Sequence, residues 1–429
     1  MNLGGFLQQH SEQLESADRV FVGFSGGLDS TILLYSAAHL LGAEKVCALH
    51  VNHSLQPEAD AWELHCSNES KQLGVEFRVA KLSIANKGQG LESEARTQRY
   101  QFFRMQLSAK DILLLGHHID DQAETLLYRL FRGAGLRGLS AIPEQRAEGL
   151  GQLIRPLLNK TREELYSSAK KAKLDWIEDL SNSDISYDRN YIRAKILPTV
   201  QQRWPAANKT LARAASNMSS TAVLLDEYAV ELQSRCDWQP ARWGWSLDAS
   251  KFIDLSPAAQ AHLLAVAFNQ LNLQGFDSAY LEKVHKLLQS REDSSPELKI
   301  ENSELRRFGG RLYLMRAIEE FSSQNKEFFW GGTGPLILSG CGEISALEEY
   351  RGDELKISFR QGGERCKPND RDKSQSLKKL MQEYSLEPWL RERVPLIWRD
   401  DQIIAVADLF SCSKEISAPK FEWDLEVKA

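Results

Sequence analysis

The fold of this chain is decided near its start by the stretch Val20-Phe21-Val22-Gly23-Phe24-Ser25-Gly26-Gly27-Leu28-Asp29-Ser30. Its first five residues form a short apolar run, which is typical of a buried strand, and helical periodicity begins at its end. The turn between them is polar and contains two adjacent glycines. Glycines let a backbone approach an anion closely, and the N–H groups at a helix start attract negative charge. The stretch therefore predicts a phosphate-binding loop, whose residues are Ser25, Gly26, Gly27, Leu28, Asp29 and Ser30.

Apolar runs and helical patterns alternate on both sides of this loop. The apolar runs lie at residues 20–24, 46–51, 75–79 and 112–115, and the helical patterns at residues 30–41, 60–73 and 92–107. Gly42 and Gly74 follow two of the helical patterns, at the position where a helix end favours glycine. The order strand, helix, strand, helix predicts an α/β domain with a parallel sheet covered by helices.

A second polar constellation follows the apolar run at residues 112–115. It reads Gly116-His117-His118-Ile119-Asp120-Asp121-Gln122-Ala123-Glu124-Thr125 and opens another helical pattern. Asp121 and Glu124 are three residues apart and therefore share one face of that helix, with His117 one turn upstream. Because parallel sheets bind ligands at the carboxyl ends of their strands, we expect this constellation to converge with the loop at residues 25–30.

Composition and charge restrict the class of protein. The chain has 429 residues, 42% hydrophobic and 26% charged, which is typical of a globular protein with two or three domains. It shows neither a signal sequence nor an apolar run long enough to cross a membrane, so we expect a cytoplasmic protein. The six cysteines include no CxxC pair and no zinc-site spacing. A net charge of −6 leaves any nucleic-acid contact to local basic patches.

The later sequence changes character twice. Residues 159–235 are helical and gather basic side chains, with six Lys or Arg against two acids in residues 183–213. A second helical unit has apolar patches at residues 261–271 and 279–288, and residues 322–334 have the composition of a linker. Strand-like pieces at residues 355–359, 396–398 and 403–407 predict a small α+β domain. Trp389, Trp398 and Phe359 lie in this domain, where such residues more often form the core than stack on bases.

The loop resembles the PP-loop of ATP pyrophosphatases, enzymes that cleave ATP between its α and β phosphates. It lacks the lysine of the GxxxxGK[ST] loop, which disfavours transfer of a terminal phosphoryl group. The resemblance implies that ATP is bound by residues 25–30 and that Asp29 helps to hold Mg²⁺ on the pyrophosphate.

Within this superfamily the chain is similar to the tRNA(Ile)-lysidine synthetases over nearly its whole length. The second constellation carries part of the similarity, and the other motifs are Arg155-Pro156-Leu157, Asp179-x-Ser181-Asn182, Arg189-Asn190-Tyr191-Ile192-Arg193, the segments 359–365 and 378–383, and Trp389-x-Arg391-x-x-Val394-Pro395-Leu396-Ile397. Glu94, Arg96 and Arg99 also fit the family pattern, although salt bridges on a helix face would explain them equally well.

The resemblance implies a specific reaction. The oxygen at carbon 2 of the wobble cytidine, in a tRNA(Ile) with a CAU anticodon, would attack the α-phosphate of ATP, and the amine of L-lysine would then displace AMP. The product, lysidine, changes the codon read from AUG to AUA and the amino-acid identity from methionine to isoleucine. Asp121 and Glu124 would contact the substrate lysine, with His117 facing the nucleotide or the base. The resemblance adds Arg189 and Arg193 as catalytic or tRNA-holding residues, beside the catalytic Asp29, His117 and Asp121.

The sequence is compared with three possible functions. They are the lysine-adding ligase, another PP-loop enzyme such as a tRNA sulfur transferase or an amide-forming synthetase, and a non-catalytic RNA-binding protein. The missing CxxC pairs disfavour a sulfur transferase, and the combination of phosphate, metal and amine groups disfavours a binding protein. We expect a PP-loop catalytic domain with a helical extension at residues 1–215, a helical tRNA-binding domain at residues 216–320, and a C-terminal α+β tRNA-binding domain at residues 335–429. The sequence leaves open whether the chain is a monomer or a homodimer.

Overall fold

The computed structural model describes residues 3–53, 57–82, 91–178, 184–273, 276–291, 296–319, 321, 326–332, 334–347, 354–412 and 420–425. The chain folds into two compact units, Met1–Leu224 and Leu225–Ala429. The division into three domains at the residues given above stays a prediction. Among the helices of the described residues, none is long and apolar enough to cross a membrane.

The first unit is built on a six-stranded sheet in the order β3-β2-β1-β4-β6-β5. Its strands are β1 (Val20–Gly23), β2 (Val46–Asn52), β3 (Glu76–Lys81), β4 (Ile112–Leu114), β5 (Gln145–Glu148) and β6 (Gly151–Ile154). Strands β3, β2, β1, β4 and β6 are parallel, and β5 pairs antiparallel with β6. Val20 pairs with Val46 on one side and with Ile112 on the other, so β1 lies in the middle of the sheet. The predicted parallel sheet is therefore confirmed.

Helices cover both faces of this sheet. They are α1 (Ser11–Ser16), α2 (Leu28–Leu41), α3 (Ala59–Leu73), α4 (Leu91–Gln106), α5 (Ile119–Phe131), α6 (Leu136–Leu139), α7 (Arg162–Ala172), α8 (Asp188–Tyr191), α9 (Leu197–Arg203) and α10 (Ala207–Arg235), the last of which contains the boundary between the units. A π-helical turn, Ile192–Ile196, precedes α9. Val20 and Val22 pack into a core with α2, α3 and α7, whereas Phe21 packs on the opposite face with Tyr100 and Phe103 of α4. The alternation of β1 side chains thus separates two cores.

The second unit begins with a five-stranded sheet in the order β7-β8-β11-β10-β9. Its elements are β7 (Gln239–Pro240), β8 (Trp245–Asp248), α11 (Ala249–Ile253), α12 (Pro257–Gln270), α13 (Leu281–Gln289), β9 (Glu297–Ile300), β10 (Ser303–Phe308) and β11 (Arg311–Arg316). The two predicted helices are present, but the description of this region as helical is too narrow. A charged residue in a core position interrupts the apolar pattern from which a strand is predicted. Glu304 of β10 is 1% exposed and accepts hydrogen bonds from Arg306 and from the backbone N–H of Ile318.

The C-terminal part of this unit is rich in strands. It contains β12 (Glu327–Trp330), β13 (Leu336–Leu338), β14 (Gly342–Ala346), β15 (Leu355–Ser358), β16 (Arg365–Cys366), β17 (Gln375–Ser376), α14 (Leu377–Glu383), β18 (Leu396–Arg399), β19 (Gln402–Val406), β20 (Phe410–Ser411) and β21 (Phe421–Asp424). The predicted α+β composition and the strands near residues 355, 396 and 403 are confirmed. The predicted linker is wrong over β12, because its aromatic residues pair with β15; residues 322–325 and 333 lie outside the described residues.

The three aromatic residues singled out from the sequence, Phe359, Trp389 and Trp398, are packed against other side chains of the protein. Phe359 is 1% exposed and meets Phe321 edge to face, with the ring centres 5.0 Å apart. Trp389 lies edge to face with Tyr313 at 5.0 Å, and the indole N–H of Trp398 donates to Ser358 Oγ at 2.8 Å. These contacts agree with the core role expected from the sequence.

Candidate active site

The loop between β1 and α2 is held by its own hydroxyl groups. The backbone N–H of Ser25 donates to Ser30 Oγ at 3.2 Å, and Ser30 Oγ donates to the carbonyl of Gly27 at 3.0 Å. Gly26 has a φ of +82°, and a Cβ at this position would lie 2.9 Å from Cys66 Sγ. Gly27 caps α2 without any side-chain hydrogen bond, so the first N–H groups of α2 stay available to a ligand. This is the geometry of an anion-binding loop.

Asp29 lies in the first turn of α2, where the second constellation meets the loop. A Cβ on Gly116 would be 3.1 Å from the backbone of Asp29, so a larger residue would have to push the two segments apart by a few tenths of an ångström. The Oδ2 atom of Asp29 lies 3.6 Å from Nε2 of His118. The predicted convergence of the two constellations, about 90 residues apart in sequence, is therefore confirmed.

His118 joins the carboxylates of the two constellations. It is the N-cap of α5: its Nδ1 accepts from the backbone N–H of Asp120 at 3.3 Å, and its own backbone N–H donates to Asp121 Oδ2 at 2.9 Å. Because Nδ1 accepts, the proton of the neutral ring is on Nε2. That N–H faces Asp29 and Asp121, each with a carboxylate oxygen 3.6 Å from Nε2.

Arg193 reaches the same site from the π-helical turn. Its guanidinium donates to both oxygens of Glu124, at 2.6 and 2.7 Å, and its Nη2 lies 3.6 Å from Asp121 Oδ1. Burial raises the pKa of Glu124, against the opposing effect of Arg193. Burial also acts to raise the pKa of Asp121, but the proximity of His118 and His117, the backbone N–H of His118 and the charge of Arg193 outweigh burial and hold that pKa below its usual value. Asp121 is thus a stable anion.

The other predicted residues are placed differently. His117 follows β4 but does not take the bridging position; its Nδ1 has no hydrogen-bond partner among the described residues, and burial lowers its pKa. Arg189 lies over the ring of Tyr128, 5.7 Å from its centre, and among the described residues it makes no ion pair with the site carboxylates. Arg96 and Arg99 lie on α4 beside Tyr100, and Glu94 accepts from Gln98. Asp179, Ser181 and Asn182 lie outside the described residues.

Sequence reasoning missed His118 and the partner of Glu124. The signal for His118 was its position three residues before Asp121, where a side-chain acceptor and an acid form a capping box. The pairing of Glu124 with Arg193 spans 69 residues, and helical spacing carries no information about it.

The assembled site is acidic. Among the described residues it gathers three carboxylates, Asp29, Asp121 and Glu124, near the guanidinium of Arg193, with Arg162 acting on Asp29 as a second positive charge. The excess of negative charge favours cationic ligands such as a metal ion or an ammonium group. Oδ1 of Asp29 is buried and has no hydrogen-bond partner in the part of the chain that the structure describes, and burial raises the pKa of this carboxyl against the opposing effect of His118. Across the described residues, no three His, Cys, Asp or Glu side chains are grouped to hold a metal by themselves. The unsatisfied oxygen of Asp29 fits a Mg²⁺ ion whose other ligands are phosphate oxygens and water.

Comparison with known proteins covers most of the chain. Three family models match it: the PP-loop domain over residues 4–200, the TilS substrate binding domain over residues 247–313 and the TilS substrate C-terminal domain over residues 355–427. The chain is 34% identical to the tRNA(Ile)-lysidine synthase of Coxiella burnetii, over 97% of this chain and 94% of that protein. It is 39% identical to the tRNA(Ile)-lysidine synthase of Pseudomonas aeruginosa, over 90% of this chain and 89% of that protein. The chain therefore belongs to the tRNA(Ile)-lysidine synthase family.

Proposed function

We propose that this chain is an ATP-dependent ligase that forms lysidine by joining L-lysine to carbon 2 of the wobble cytidine of tRNA(Ile) with a CAU anticodon. One observation carries the assignment to this site: His118 Nε2 lies 3.6 Å from Asp29, beside the phosphate-binding loop, and 3.6 Å from Asp121. The nucleotide beside Asp29 and the amine beside Asp121 can therefore be bound at positions separated by the single side chain of His118. Because tRNA(Ile) is the substrate, the proposed place of action is the cytoplasm.

ATP would be bound by residues 25–30. The N–H groups at the start of α2 face the phosphates, while Ser25 and Ser30 hold the loop in shape. Asp29 would hold Mg²⁺, which supplies positive charge against the charge that develops on the leaving pyrophosphate. Nε2 of His118, 3.6 Å from Asp29 Oδ2, lies beyond hydrogen-bond distance but favours the ionised form of that carboxyl electrostatically.

The first step would activate the base. The oxygen at carbon 2 of cytidine attacks the α-phosphorus, the bond to the β-phosphate oxygen breaks, and pyrophosphate leaves. AMP is a far better leaving group than the oxygen of a pyrimidine ring, so the adenylate divides one difficult substitution into two easier ones. Arg193, which is paired with Glu124 and lies 3.6 Å from Asp121, would add positive charge near an incoming phosphate.

The second step would use lysine. Asp121 and Glu124 would hold its ammonium groups; the bidentate pair with Arg193 uses one lone pair on each oxygen of Glu124, and each oxygen retains another. The low pKa of Asp121 makes it a weak base, so the proton of the ε-amine would leave to solvent. The free amine then attacks carbon 2, and AMP departs with the oxygen.

Three aspartate variants test this assignment. Asp29→Asn should abolish both pyrophosphate release and incorporation of labelled lysine into a tRNA(Ile) transcript with a CAU anticodon. Asp121→Asn keeps an oxygen that can cap α5, so it should release pyrophosphate but transfer little lysine. Asp120→Asn is the matched control, because Asp120 accepts from Asn208 and lies outside the proposed lysine contacts. Normal lysine transfer by the Asp121 variant would refute the role of Asp121.

A transcript with another anticodon separates this function from its alternatives. The ligase should modify only the CAU transcript. Pyrophosphate release without lysine transfer to any transcript would indicate another PP-loop enzyme, and the absence of both from a folded protein would leave nucleotide or RNA binding.

A further inference from the structure

Four arginines surround one buried tyrosine on the α4 face of the first unit. The guanidinium carbons of Arg96 and Arg146 each lie 5.0 Å from the ring centre of Tyr100, and that of Arg99 lies 5.9 Å away. Arg155, 2% exposed, is close enough to the same tyrosine to interact with it electrostatically. We name this cluster, Arg96, Arg99, Arg146 and Arg155 around Tyr100, the arginine basin.

For Arg96, Arg146 and Arg155, the described residues supply a single carboxylate partner, Glu148. Arg146 pairs with Glu148, but that carboxylate is shared with Arg104. Arg155 donates to the carbonyl of Pro143 at 2.6 Å, and its Nε has no partner among the described residues. None of the described carboxylates pairs with Arg96, which is exposed and reaches only the hydroxyl of Tyr100, at 3.5 Å.

The positive charges of the arginine basin repel one another, and this repulsion lowers the pKa of Arg155. Burial lowers the pKa of Arg155, and the charges of Arg146 and Arg96 lower it further, against the opposing effect of Tyr100. Burial, followed by the charges of Arg189 and Arg96, also lowers the pKa of nearby Arg129. Like charges gathered at this density are relieved when an anion with several acceptor oxygens binds among them.

The position of the arginine basin distinguishes it from the ATP loop. Gly26 packs against Cys66 and Ile177, on the face covered by α2 and α3, whereas Tyr100 belongs to the core on the α4 face. The two anion-attracting regions therefore lie on different faces of the sheet. The arginine basin is nevertheless close to the chemistry, because Arg155, Arg99 and Arg96 add to burial in lowering the pKa of His117, against Asp121.

We propose that the arginine basin binds a backbone phosphate of the anticodon strand and so holds the tRNA while its cytidine occupies the active site. This inference rests on the proposed function, since it takes tRNA as the ligand. Arginine suits the role because its planar guanidinium donates two parallel hydrogen bonds to a phosphate. The exposed Arg96 would make the first contact, and the buried Arg155 would supply fixed positive charge.

The test compares Arg96→Ala and Arg96→Glu with Arg104→Ala. Arg104 is an exposed arginine on the same helix and shares Glu148 with Arg146, so its removal is a control for the loss of one positive charge near the arginine basin without the loss of a proposed phosphate contact. Binding of the tRNA(Ile) transcript should weaken about tenfold in Arg96→Ala, as for one charge-assisted hydrogen bond, and further in Arg96→Glu. The slope of log affinity against log salt should fall by about 0.7, as for one phosphate contact on a single strand. Arg104→Ala should bind like the unchanged chain, and ATP affinity should stay within about twofold in all three variants.

Two outcomes would overturn the proposal. Unchanged tRNA affinity and salt slope in both Arg96 variants would show that Arg96 binds no phosphate of the RNA. A loss of ATP affinity with normal tRNA binding would assign the arginine basin to the nucleotide. Lysine incorporation by the unchanged chain is measured in the same preparation; if it fails while the Arg96 variants still lose tRNA affinity, the proposed function falls and the arginine basin stands.

Discussion

Replacing Gly26 by alanine should destabilise the first unit, whereas the same replacement at Gly27 should leave its stability almost unchanged. At Gly26 the φ of +82° costs an L residue about 1–2 kcal/mol. The new Cβ would lie 2.9 Å from both Cys66 Sγ and Ile177 Cδ1. The end of Ile177 can rotate away, but Cys66 is fully buried, so overpacking adds about 1–3 kcal/mol. We expect a total loss of about 2–5 kcal/mol.

Gly27 provides the matched control. Its φ is −76°, and the nearest atom to an added Cβ is Ser25 Oγ at 3.5 Å, an ordinary contact. Alanine at such a position changes stability by less than about 1 kcal/mol. The assay is urea unfolding followed by circular dichroism, with the transitions of the two units fitted separately because a chain of two units need not unfold in one step. Equal losses in the two variants, or full stability in Gly26→Ala, would show that the positive φ and close packing of Gly26 do not require glycine.

Three further predictions concern the carboxylates and the histidine. Glu124→Gln leaves the guanidinium of Arg193 without its charged partner and should lower the free energy of unfolding, measured by urea denaturation, by about 1–3 kcal/mol. The loss is smaller than for a fully buried pair because Arg193 is 35% exposed. An unchanged free energy of unfolding would contradict the pairing. His118→Asn keeps a good helix cap but removes the link between Asp29 and Asp121, so pyrophosphate release should fall at least about tenfold with little change in melting temperature, and an unchanged rate would exclude the proposed link. The pKa values of Asp121 and His117 are lowered, so neither group changes charge between about pH 7 and 9. The rate of lysine transfer should therefore rise about tenfold per pH unit in this range, because the amine of lysine, with its usual pKa of about 10.4, loses its proton to solvent. A flat pH profile would indicate that a group of the protein takes the proton.

Much of the first unit could be predicted because its signals are local. The apolar runs of β1, β2 and β4 are continuous, as buried parallel strands require, and the helices between them are amphipathic or buried over several turns. The topology of a parallel sheet then places residues that follow β1 and β4 at one edge, which is why the meeting of Asp29 with the second constellation could be predicted without a structure.

The parts that could not be predicted depend on partners distant in sequence. Glu304 occupies a core position because Arg306 and a backbone N–H satisfy it, so β10 does not show an apolar pattern, unlike the segment at residues 312–315 of β11. Glu124 looked like a free ligand for lysine, because nothing in its own helix reveals Arg193. The arginine basin combines residues of α4, β5 and the end of β6. These residues are far apart in sequence, and their grouping around Tyr100 is visible only in the folded structure.

The central claim is that one site both adenylates the tRNA and adds lysine, and the stoichiometry of a single reaction tests it most directly. Purified protein would be given ATP, Mg²⁺, labelled lysine and the CAU transcript of tRNA(Ile), and AMP, pyrophosphate and lysine bound to tRNA would be counted together. We expect equal amounts of the three products from the unchanged chain and none of them from Asp29→Asn. Lysine bound to tRNA with ADP and phosphate as the products, or without ATP cleavage, would contradict it.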